Sequence, residues 1–398
     1  MLFTSQPPWR SPGPRTVAGD DDDFTVPVAP DRRFPIGVHS VTNLSKHLAA
    51  AVVAAFALAA CGGGGSSGGG GGGSTLIGAG SSAQAAAMAA WQAGFQAAYP
   101  DTTVEYDPIG SGGGREQFLA GATALAGSDA YLNDDEYQKS IERCAGDQGA
   151  INLPHYISPI AVAYNLPGVA ALNLTPAAVA GIFAGTITNW NDPAIADANP
   201  GVALPDRAIN PVHRSDESGT TENFTDYLAA VQPDVWTHGR VKAWPEIGGE
   251  GAPQTSGVVA ALKAGEGSIG YADASQVGDL SVALIGVGDT FVAYSPAAAA
   301  KSVDVSSRIG GRSPYDFGFA LDRTTTAPDV YPITLVSYHI VCLQYGDQAT
   351  VDLVQAFMAY VGSEEGQNAA AAAAGSAPIS AELRAQLLES ISQISVAG

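Results

Sequence analysis

Basic residues are the scarce class in this 398-residue chain, where 18 Lys and Arg stand against 39 Asp and Glu and the formal net charge is −21. Nucleic-acid binding requires a basic surface, so this balance argues against a nucleic-acid partner. It also argues against electrostatic attachment to anionic lipid. It does not exclude a small anion in a local pocket, because backbone amides and one arginine can outweigh the distant field.

Long apolar runs are scarce as well. Residues 48–60 form one apolar stretch, which is shorter than the roughly 20 residues of a membrane helix. Lys46 and His47 precede it and Cys61 follows it, which is the pattern of a signal peptide with its h-region at 48–60. The tetrapeptide "LAAC" resembles a bacterial lipobox, which implies cleavage before Cys61 and a lipid on its thiol. A plain secretory signal or a buried apolar helix is the alternative.

The segments around this stretch lack the patterns of a folded domain. Residues 1–40 hold several prolines and the acidic run 20–23, unlike a short basic signal n-region. We therefore expect residues 1–60 to be an N-terminal extension plus the signal peptide, with translation starting near Val41; peptides from the first 40 residues in cell extracts would contradict that start. The lipidated cysteine and the Gly/Ser run after it, residues 61–74, predict a flexible tether.

Two of the three cysteines remain once Cys61 is assigned to the anchor. An even pair in an exported chain favours a disulfide, here between Cys144 and Cys342. Two buried free thiols are the alternative interpretation.

Short apolar strands alternate with helices from Thr75 onward. In the first such helix, Met88 and Trp91 recur at helical spacing after the strand "STLIGAG". The long β-rich run "AINLPHYISPIAVAYNL" is expected to be interrupted at Pro154 and Pro159. This alternation predicts an α/β fold with open sheets flanked by helices.

Three junctions share one design, in which a strand passes through a Gly- and Ser-rich turn into a helix. They are "GAGSS" at 78–82, "GSGGG" at 110–114 and "ESGTT" at 217–221. Free backbone N–H groups and the positive end of the helix dipole suit such turns to anions. One alone would be an ordinary helix start, whereas three in an exported chain favour an anion site. Asp129 follows a strand and should lie near the same sheet edge, although a plain loop aspartate is the simpler interpretation.

Catalytic and nucleotide-binding interpretations of these turns are weaker. "GAGSSA" fits the dinucleotide pattern G-x-G-x-x-A, but an exported lipoprotein is a poor setting for a nicotinamide enzyme. "GSGGGREQ" lacks the end of a P-loop, and Ser218 does not lie in G-x-S-x-G. A pair of Ser218 with His213 would need spatial contact, which spacing does not show. The six histidines have no metal-ligand spacing. We predict no catalytic residue, no metal and no cofactor.

Six motifs occur in a fixed order: "GAGSS", "PIGSGGG", "AGSDAYL", "GTITNWNDPAI", "HRSDESGT" and "GSIGYADAS". Together they resemble the phosphate-binding lipoproteins of Pst-type ABC transporters, over about residues 76–395. The resemblance implies a type II periplasmic-binding-protein fold, with two α/β domains, two hinge crossings and a ligand cleft. Domain I would comprise residues 75–160 and 331–398, and domain II residues 161–330.

The resemblance also implies a phosphate-binding set, carried over position by position: Ser82, the amide of Ala83, Ser111, Asp129, Arg214, Ser218, Gly219 and Thr220. Asp129 would accept a hydrogen bond from the protonated ligand, and Asp216 would pair with Arg214. The chain departs from the family pattern where Ser82 and Ala83 replace Thr-Phe, and the missing ring could loosen the cleft. It departs again at Glu217, which stands where glycine is usual and has no assigned role.

The sequence therefore predicts a binding protein, not an enzyme. We expect an exported monomer, held to the outer face of a bacterial membrane by its lipid alone, which captures phosphate and delivers it to an ABC permease. One alternative is a binder of sulfate or molybdate, although an acceptor carboxylate disfavours fully deprotonated oxyanions. A phosphatase or other hydrolase using Ser218 or Ser111 would need metals or a Ser–His pair. An adhesin would not need three anion-type junctions.

Overall fold

The computed structural model describes residues 74–310 and 312–398, and all structural statements refer to these residues. The predicted N-terminal extension, the signal peptide, the lipidation site Cys61 and the tether up to residue 73 lie outside them. The first strand begins at Ser74, so this last residue of the predicted tether belongs to the fold. Within the described ranges, no helix combines the length and apolar character needed to cross a membrane.

Sixteen strands are assigned in the described part of the chain. They are β1 (Ser74–Gly80), β2 (Thr102–Asp107), β3 (Leu125–Ser128), β4 (Ala150–Asn165), β5 (Asn173–Leu174), β6 (Asn210–Arg214), β7 (Glu250–Ala252), β8 (Ser268–Asp273), β9 (Ser281–Val282), β10 (Leu284–Val287), β11 (Thr290–Val292), β12 (Ser307–Arg308), β13 (Phe319–Ala320), β14 (Thr334–Cys342), β15 (Gln344–Tyr345) and β16 (Ser395–Val396).

Eleven helices are assigned in the same residues. They are α1 (Ala85–Ala98), α2 (Ser111–Leu119), α3 (Asp134–Arg143), α4 (Pro176–Phe183), α5 (Pro193–Ala196), α6 (Gly219–Val231), α7 (Gln254–Ala264), α8 (Pro296–Asp304), α9 (Gln348–Gly362), α10 (Glu364–Ala374) and α11 (Ala381–Ser392).

A nine-stranded sheet forms the centre of the fold, in the order β2-β1-β3-β14-β4-β8-β6-β7 with β9 beside β4. Strands β1, β2 and β3 are parallel, and so are β6, β7 and β8. Between these two groups, β14 and β4 run antiparallel to their neighbours. A helix follows each of β1, β2, β3, β6 and β7, so the predicted α/β class is confirmed.

Strand β4 changes its partner part of the way along its 16 residues. Residues 150–159 pair with β14, whereas residues 160–165 pair with β8. The segment that enters β14 lies beside this point, because Ile160 N–H donates to the carbonyl of Ile333 (2.7 Å) and the Tyr331 hydroxyl donates to the carbonyl of Ile160 (2.9 Å). The change of partner falls at the predicted domain boundary, and the boundaries themselves stay a prediction.

The two prolines of β4 do not interrupt it, so the predicted break is wrong. Proline has no N–H for a ladder hydrogen bond, and a central strand accepts it only where pairing is irregular. Pro154 lies opposite Tyr338, next to a register shift between Ser337 and Tyr338. Pro159 is the last β4 residue to face β14, and its carbonyl accepts the N–H of Ala274. Each proline thus lies where the ladder shifts or ends.

The central strands β4 and β14 are buried along their length except at Asn165, and their buried residues include the polar side chains of Asn152, His155 and His339. Helix α1 turns Met88, Trp91 and Phe95 towards this core, in agreement with their helical spacing. The predicted disulfide is present between Cys144, which follows α3, and Cys342, the last residue of β14, with a Cα–Cα distance of 5.5 Å. Both cysteines are buried, so the bridge joins the outer helix to the sheet inside the core.

Candidate functional site

Four strand-to-helix junctions meet in one buried region. They follow β1, β2, β6 and β7, and they lead into α1, α2, α6 and α7. The Thr220 hydroxyl on α6 donates to Asp129 Oδ2 (3.0 Å), and the Gly112 N–H on α2 donates to the carbonyl of Glu217 (3.1 Å). These contacts bring the carboxyl ends of the two parallel strand groups together. The region therefore gathers several helix N-termini, whose dipoles favour negative charge.

Asp129 lies at the centre of this region and is 3% exposed. The Ser81 hydroxyl donates to its Oδ1 (2.5 Å), the Thr220 hydroxyl donates to its Oδ2, and its own N–H donates to Ser111 Oγ (3.1 Å). Burial raises the pKa of the Asp129 carboxyl above its ordinary value, although the surrounding hydroxyls and the charge of Arg214 act in the opposite direction. A carboxyl in this position can accept a hydrogen bond from a protonated oxyanion.

Arg214 supplies a buried cation and is 2% exposed. Its Nε donates to Asp216 Oδ1 (2.7 Å) and its Nη2 donates to Asp216 Oδ2, which leaves Nη1 outside the pair. Burial acts to raise the pKa of Asp216, but the hydrogen bond and charge of Arg214 outweigh it and hold that pKa below its ordinary value. The Gln254 N–H at the start of α7 also donates to Asp216 Oδ1 (2.9 Å). Asp216 therefore both orients the guanidinium and partly neutralises it.

Ser218 is the N-cap of α6, where its Oγ accepts the N–H of Thr221 (3.2 Å). A hydroxyl that accepts through its oxygen keeps its hydrogen for donation, so capping and ligand binding are compatible. The next residue, Gly219, approaches Asp129 so closely that an added Cβ would lie 2.8 Å from Asp129 Cβ. Only glycine leaves room for this approach between the two sides of the region.

The first junction is held from the opposite side by residues that the sequence did not single out. Ser82 Oγ accepts the N–H of Thr255 (3.1 Å) and lies 3.1 Å from the Thr255 hydroxyl. Gln276 Nε2 donates to the carbonyls of Ser82 (2.8 Å) and Ala83 (3.2 Å). The Ala83 N–H donates to Ser81 Oγ (3.1 Å). Polar contacts thus fix the turn that contains Ser82 and Ala83.

Thr255 and Ser81 were not predicted as site residues, for different reasons. Strand β7 before Thr255 has only three residues, which is too few to show the alternation of a β-strand. The segment "GAPQT" was the one weak indication of a further strand-to-helix turn. "GAGSS" contains two adjacent serines, and the sequence does not show which of them faces Asp129. Both residues become recognisable only when the strands are paired.

The structure shows the contacts of Glu217, the residue to which the sequence assigned no role. Its side chain is 48% exposed and lies 2.9 Å from Lys242 Nζ, so it forms an ion pair at the rim of the region. Its main-chain carbonyl accepts the N–H of Gly112, and α6 still begins two residues later. The side chain of Glu217 therefore points to Lys242, while its backbone joins the two sides of the region.

In the part of the chain that the structure describes, no hydrogen bond joins a histidine to Ser111 or Ser218, the two serines that a hydrolase would use. His213 Nδ1 is 2.9 Å from the carbonyl of Arg214, and its ring stacks on Trp244 with centroids 4.9 Å apart. Ser111 Oγ instead accepts the N–H of Asp129, and Ser218 Oγ accepts the N–H of Thr221. Over residues 74–310 and 312–398, no group of three or more His, Cys, Asp or Glu side chains is arranged to hold a metal ion.

Hydrogen bonds and close contacts connect six of the eight predicted ligand positions, either directly or through one further residue; they are Ser82, Ala83, Ser111, Asp129, Gly219 and Thr220. The other two, Arg214 and Ser218, lie in the same strand-to-helix junction as Gly219 and Thr220, between β6 and α6. The structure thus brings the predicted set together. Their role as ligands stays a prediction.

Comparison with known proteins identifies the family to which the chain is similar. Residues 65–365 match the family described as "PBP superfamily domain". The chain is 40% identical over 291 residues to "Phosphate-binding protein PstS 3" of Mycobacterium leprae (strain TN), which covers 71% of this chain and 78% of the relative. It is 36% identical over 324 residues to "Phosphate-binding protein PstS 2" of Mycobacterium tuberculosis (strain ATCC 25618 / H37Rv), covering 79% and 86%.

A solved structure shares the fold. The "Phosphate-Binding Protein from Stenotrophomonas maltophilia" superposes with a TM-score of 0.59, at 20% identity, over 79% of this chain and 93% of that one. At this identity the likeness concerns the fold alone, and it agrees with the predicted fold class.

Proposed function

Because this chain belongs to the PstS family of phosphate-binding proteins within the PBP superfamily, we propose that it binds inorganic phosphate reversibly and delivers it to an ABC permease for import. The observation that carries the proposal is the meeting of helix N-termini, hydroxyl groups and one arginine around a buried carboxyl. Capture and release break no covalent bond, so the function requires neither a nucleophile nor a general base.

The ligand set follows from hydrogen-bond chemistry. Phosphate oxygens accept from N–H, hydroxyl and guanidinium groups, and these are supplied by Ser82, Ala83, Ser111, Arg214, Ser218, Gly219 and Thr220. Asp129 takes the complementary role, because near neutral pH phosphate carries at least one proton and needs one acceptor. The eight residues then bind through directed hydrogen bonds more than through net charge, since Asp216 partly neutralises Arg214.

Selectivity against sulfate depends on the same acceptor. Sulfate carries no proton near neutral pH, so its oxygens would face Asp129 without a hydrogen between them. A site built for a ligand O–H can reject an analogue that lacks it by a factor of about 10⁴–10⁵, because a buried polar group is left unpaired. Arsenate is protonated like phosphate, so it should compete.

The cellular setting is part of the proposal. We infer export and lipid attachment at Cys61, with domain I at residues 75–160 and 331–398 and domain II at residues 161–330 closing on the ligand as a monomer. Support comes from the lipobox-like "LAAC" and the Gly/Ser run after it. A Cys61→Ala variant should lose the lipid and leave the membrane fraction; unchanged membrane association after carbonate extraction would contradict this anchor.

Isothermal titration calorimetry of the purified protein tests the proposed function. Phosphate should bind at one site per chain, arsenate should displace it, and sulfate should not compete at similar concentrations. Tighter binding of sulfate or molybdate would favour the alternative oxyanion binder. Turnover of a chromogenic phosphate ester would favour the exported phosphatase or hydrolase.

A further inference from the structure

One buried amide touches both sides of the candidate site. Asn223 lies on α6 and is 7% exposed. Its Nδ2 donates to the carbonyl of Asp129 (2.6 Å) and to the carbonyl of Gly219 (2.9 Å). Asp129 belongs to the part of the chain before residue 160 and Gly219 to the part after it. A single side chain therefore bridges the main chains of these two site residues.

Arg323 fixes the orientation of that amide. Arg323 is 5% exposed, and its Nη2 donates to Asn223 Oδ1 (2.5 Å). A guanidinium has donors and no acceptor, so it can face only the oxygen of the amide. The Nδ2 of Asn223 is then forced towards the two carbonyls, which can only accept. The chemistry of the partners thus leaves one arrangement for the Asn223 side chain.

The remaining donors of Arg323 reach the segment that returns to the central sheet. Its Nη1 donates to the carbonyls of Pro332 (3.1 Å) and Thr334 (2.7 Å), and its Nε donates to Asp226 Oδ2 (2.9 Å) on α6. Thr334 is the first residue of β14, which pairs with β4. Arg323 therefore ties the start of β14 to the helix whose N-terminus faces the site.

We propose that Asn223 and Arg323 form a positioning relay, in which Arg323 orients Asn223 and Asn223 holds Asp129 and Gly219 at the separation that phosphate requires. This inference rests on the proposed function, since it concerns the affinity and selectivity of the same site. Neither residue needs to touch the ligand. Asn223 acts through the main-chain carbonyls of Asp129 and Gly219, and Arg323 acts through the side chain of Asn223.

Three variants test the relay: Asn223→Ala, Arg323→Met and the two combined. Asn223→Ala should raise the phosphate Kd about tenfold, because two hydrogen bonds that position the site are lost. It should raise the Kd for sulfate less, so the preference for phosphate falls, because only the protonated ligand depends on Asp129. Asn165→Ala is the matched control, since Asn165 Nδ2 likewise donates to two carbonyls, those of Leu262 and Lys263. Its phosphate Kd should stay within about twofold of the wild type.

The double variant separates a relay from two independent contributions. If Arg323 acts through Asn223, the double variant should bind phosphate no more weakly than the weaker single variant. Multiplied losses would overturn the relay, and so would equal weakening of phosphate and sulfate in Asn223→Ala, which is the mark of a loosened fold. If Arg323→Met does not fold, the phosphate and sulfate affinities of Asn223→Ala and of its control Asn165→Ala still test whether Asn223 positions the site. A wild-type protein that binds no phosphate refutes the proposed function, whereas wild-type binding with an unaffected Asn223→Ala refutes only the relay.

Discussion

At the scale of single residues, Asp129 is the group on which the proposed selectivity depends. Asp129→Asn would replace one acceptor oxygen by an NH₂ group, which can donate to sulfate but not accept from phosphate. We expect the ratio of the sulfate Kd to the phosphate Kd to fall at least about 100-fold, because the unpaired-group penalty against sulfate is removed. Competition calorimetry measures this ratio directly.

The matched control for that change is Asp192→Asn. Asp192 caps α5 by accepting the N–H of Ala194 (2.9 Å), and asparagine can do the same. This variant should leave both affinities unchanged. An unaltered ratio in Asp129→Asn would remove Asp129 from the ligand set and leave it as a structural carboxyl held by Ser81 and Thr220.

The carboxyl of Asp273 should make the stability of the protein depend on pH. Asp273 is fully buried, and its Oδ1 accepts hydrogen bonds from the Tyr156 hydroxyl, the Ser275 N–H and the Ser275 hydroxyl. Burial raises the pKa of this carboxyl from 3.8 to about 6. Between these two pKa values the folded state keeps a proton that the unfolded state has released. The contribution of this carboxyl to stability therefore falls as pH rises from about 4 to 6.

Asp273→Asn removes this titration while keeping an oxygen for the three hydrogen bonds. The difference in unfolding free energy between variant and wild type should shift in favour of the variant by on the order of 3 kcal/mol between pH 4 and pH 7. Urea unfolding of both proteins across this pH range measures it. Other titrating groups cancel in the difference, so a difference that stays constant with pH would contradict the raised pKa.

At the scale of elements, the start of α6 combines a structural and a binding task in Ser218. Ser218→Ala should lose about 1 kcal/mol of stability with the N-cap, and it should also weaken phosphate binding. Ser218→Asp should keep the cap, because a carboxylate caps well, but it should abolish phosphate binding by placing a negative charge against the anion. Thermal unfolding and calorimetry on both variants separate the two tasks.

An N-cap elsewhere supplies the comparison. Ser380 caps α11 by accepting the N–H of Leu383 (3.1 Å), far along the chain from every junction of the site. Ser380→Ala should lower stability by a similar amount and leave the phosphate Kd unchanged. If Ser218→Asp bound phosphate as the wild type does, Ser218 would be a helix cap alone.

Local patterns explain which elements the sequence could predict. The junctions at 78–82, 110–114 and 217–221 were predictable, because a helix start rich in glycine and hydroxyl residues can be recognised from a few consecutive residues. The prediction that Pro154 and Pro159 interrupt β4 was wrong, because one lies beside a register shift in the pairing with β14 and the other lies where β4 changes its partner. The rule that proline breaks a strand uses only the local sequence, so it fails where the irregularity that accommodates the proline lies in the pairing with another strand.

Long-range contacts explain what the sequence could not supply. Arg323 and Asn223 are 100 positions apart, and no sequence motif around either residue indicates that the two are in contact. Ser82 and Thr255 are 173 positions apart, joined only because β1 and β7 end at the same region. The family resemblance supplied the proposed ligand positions and the type II periplasmic-binding-protein fold. The contacts that surround those positions could be identified only once the strands were paired.

At the scale of the whole molecule, the Cys144–Cys342 bridge joins chain positions 198 residues apart. Replacing both cysteines by alanine should lower the free energy of unfolding by about 2–5 kcal/mol, because closing so long a loop restricts the unfolded chain. The bridge lies at the end of β14 opposite Ala150, whereas Tyr338, four residues earlier, pairs with Ser128 beside Asp129.

The same variant should therefore bind phosphate within about twofold of the wild-type Kd, because changes at separated positions act independently. Thermal unfolding with and without phosphate, together with calorimetry, measures both quantities on one sample. Reduction of the wild-type protein should reproduce the loss of stability once the buried bridge is accessible to the reductant. A parallel loss of affinity and stability would instead mean that the bridge shapes the site through β14, and the division between a rigid core and a separate binding edge would be wrong.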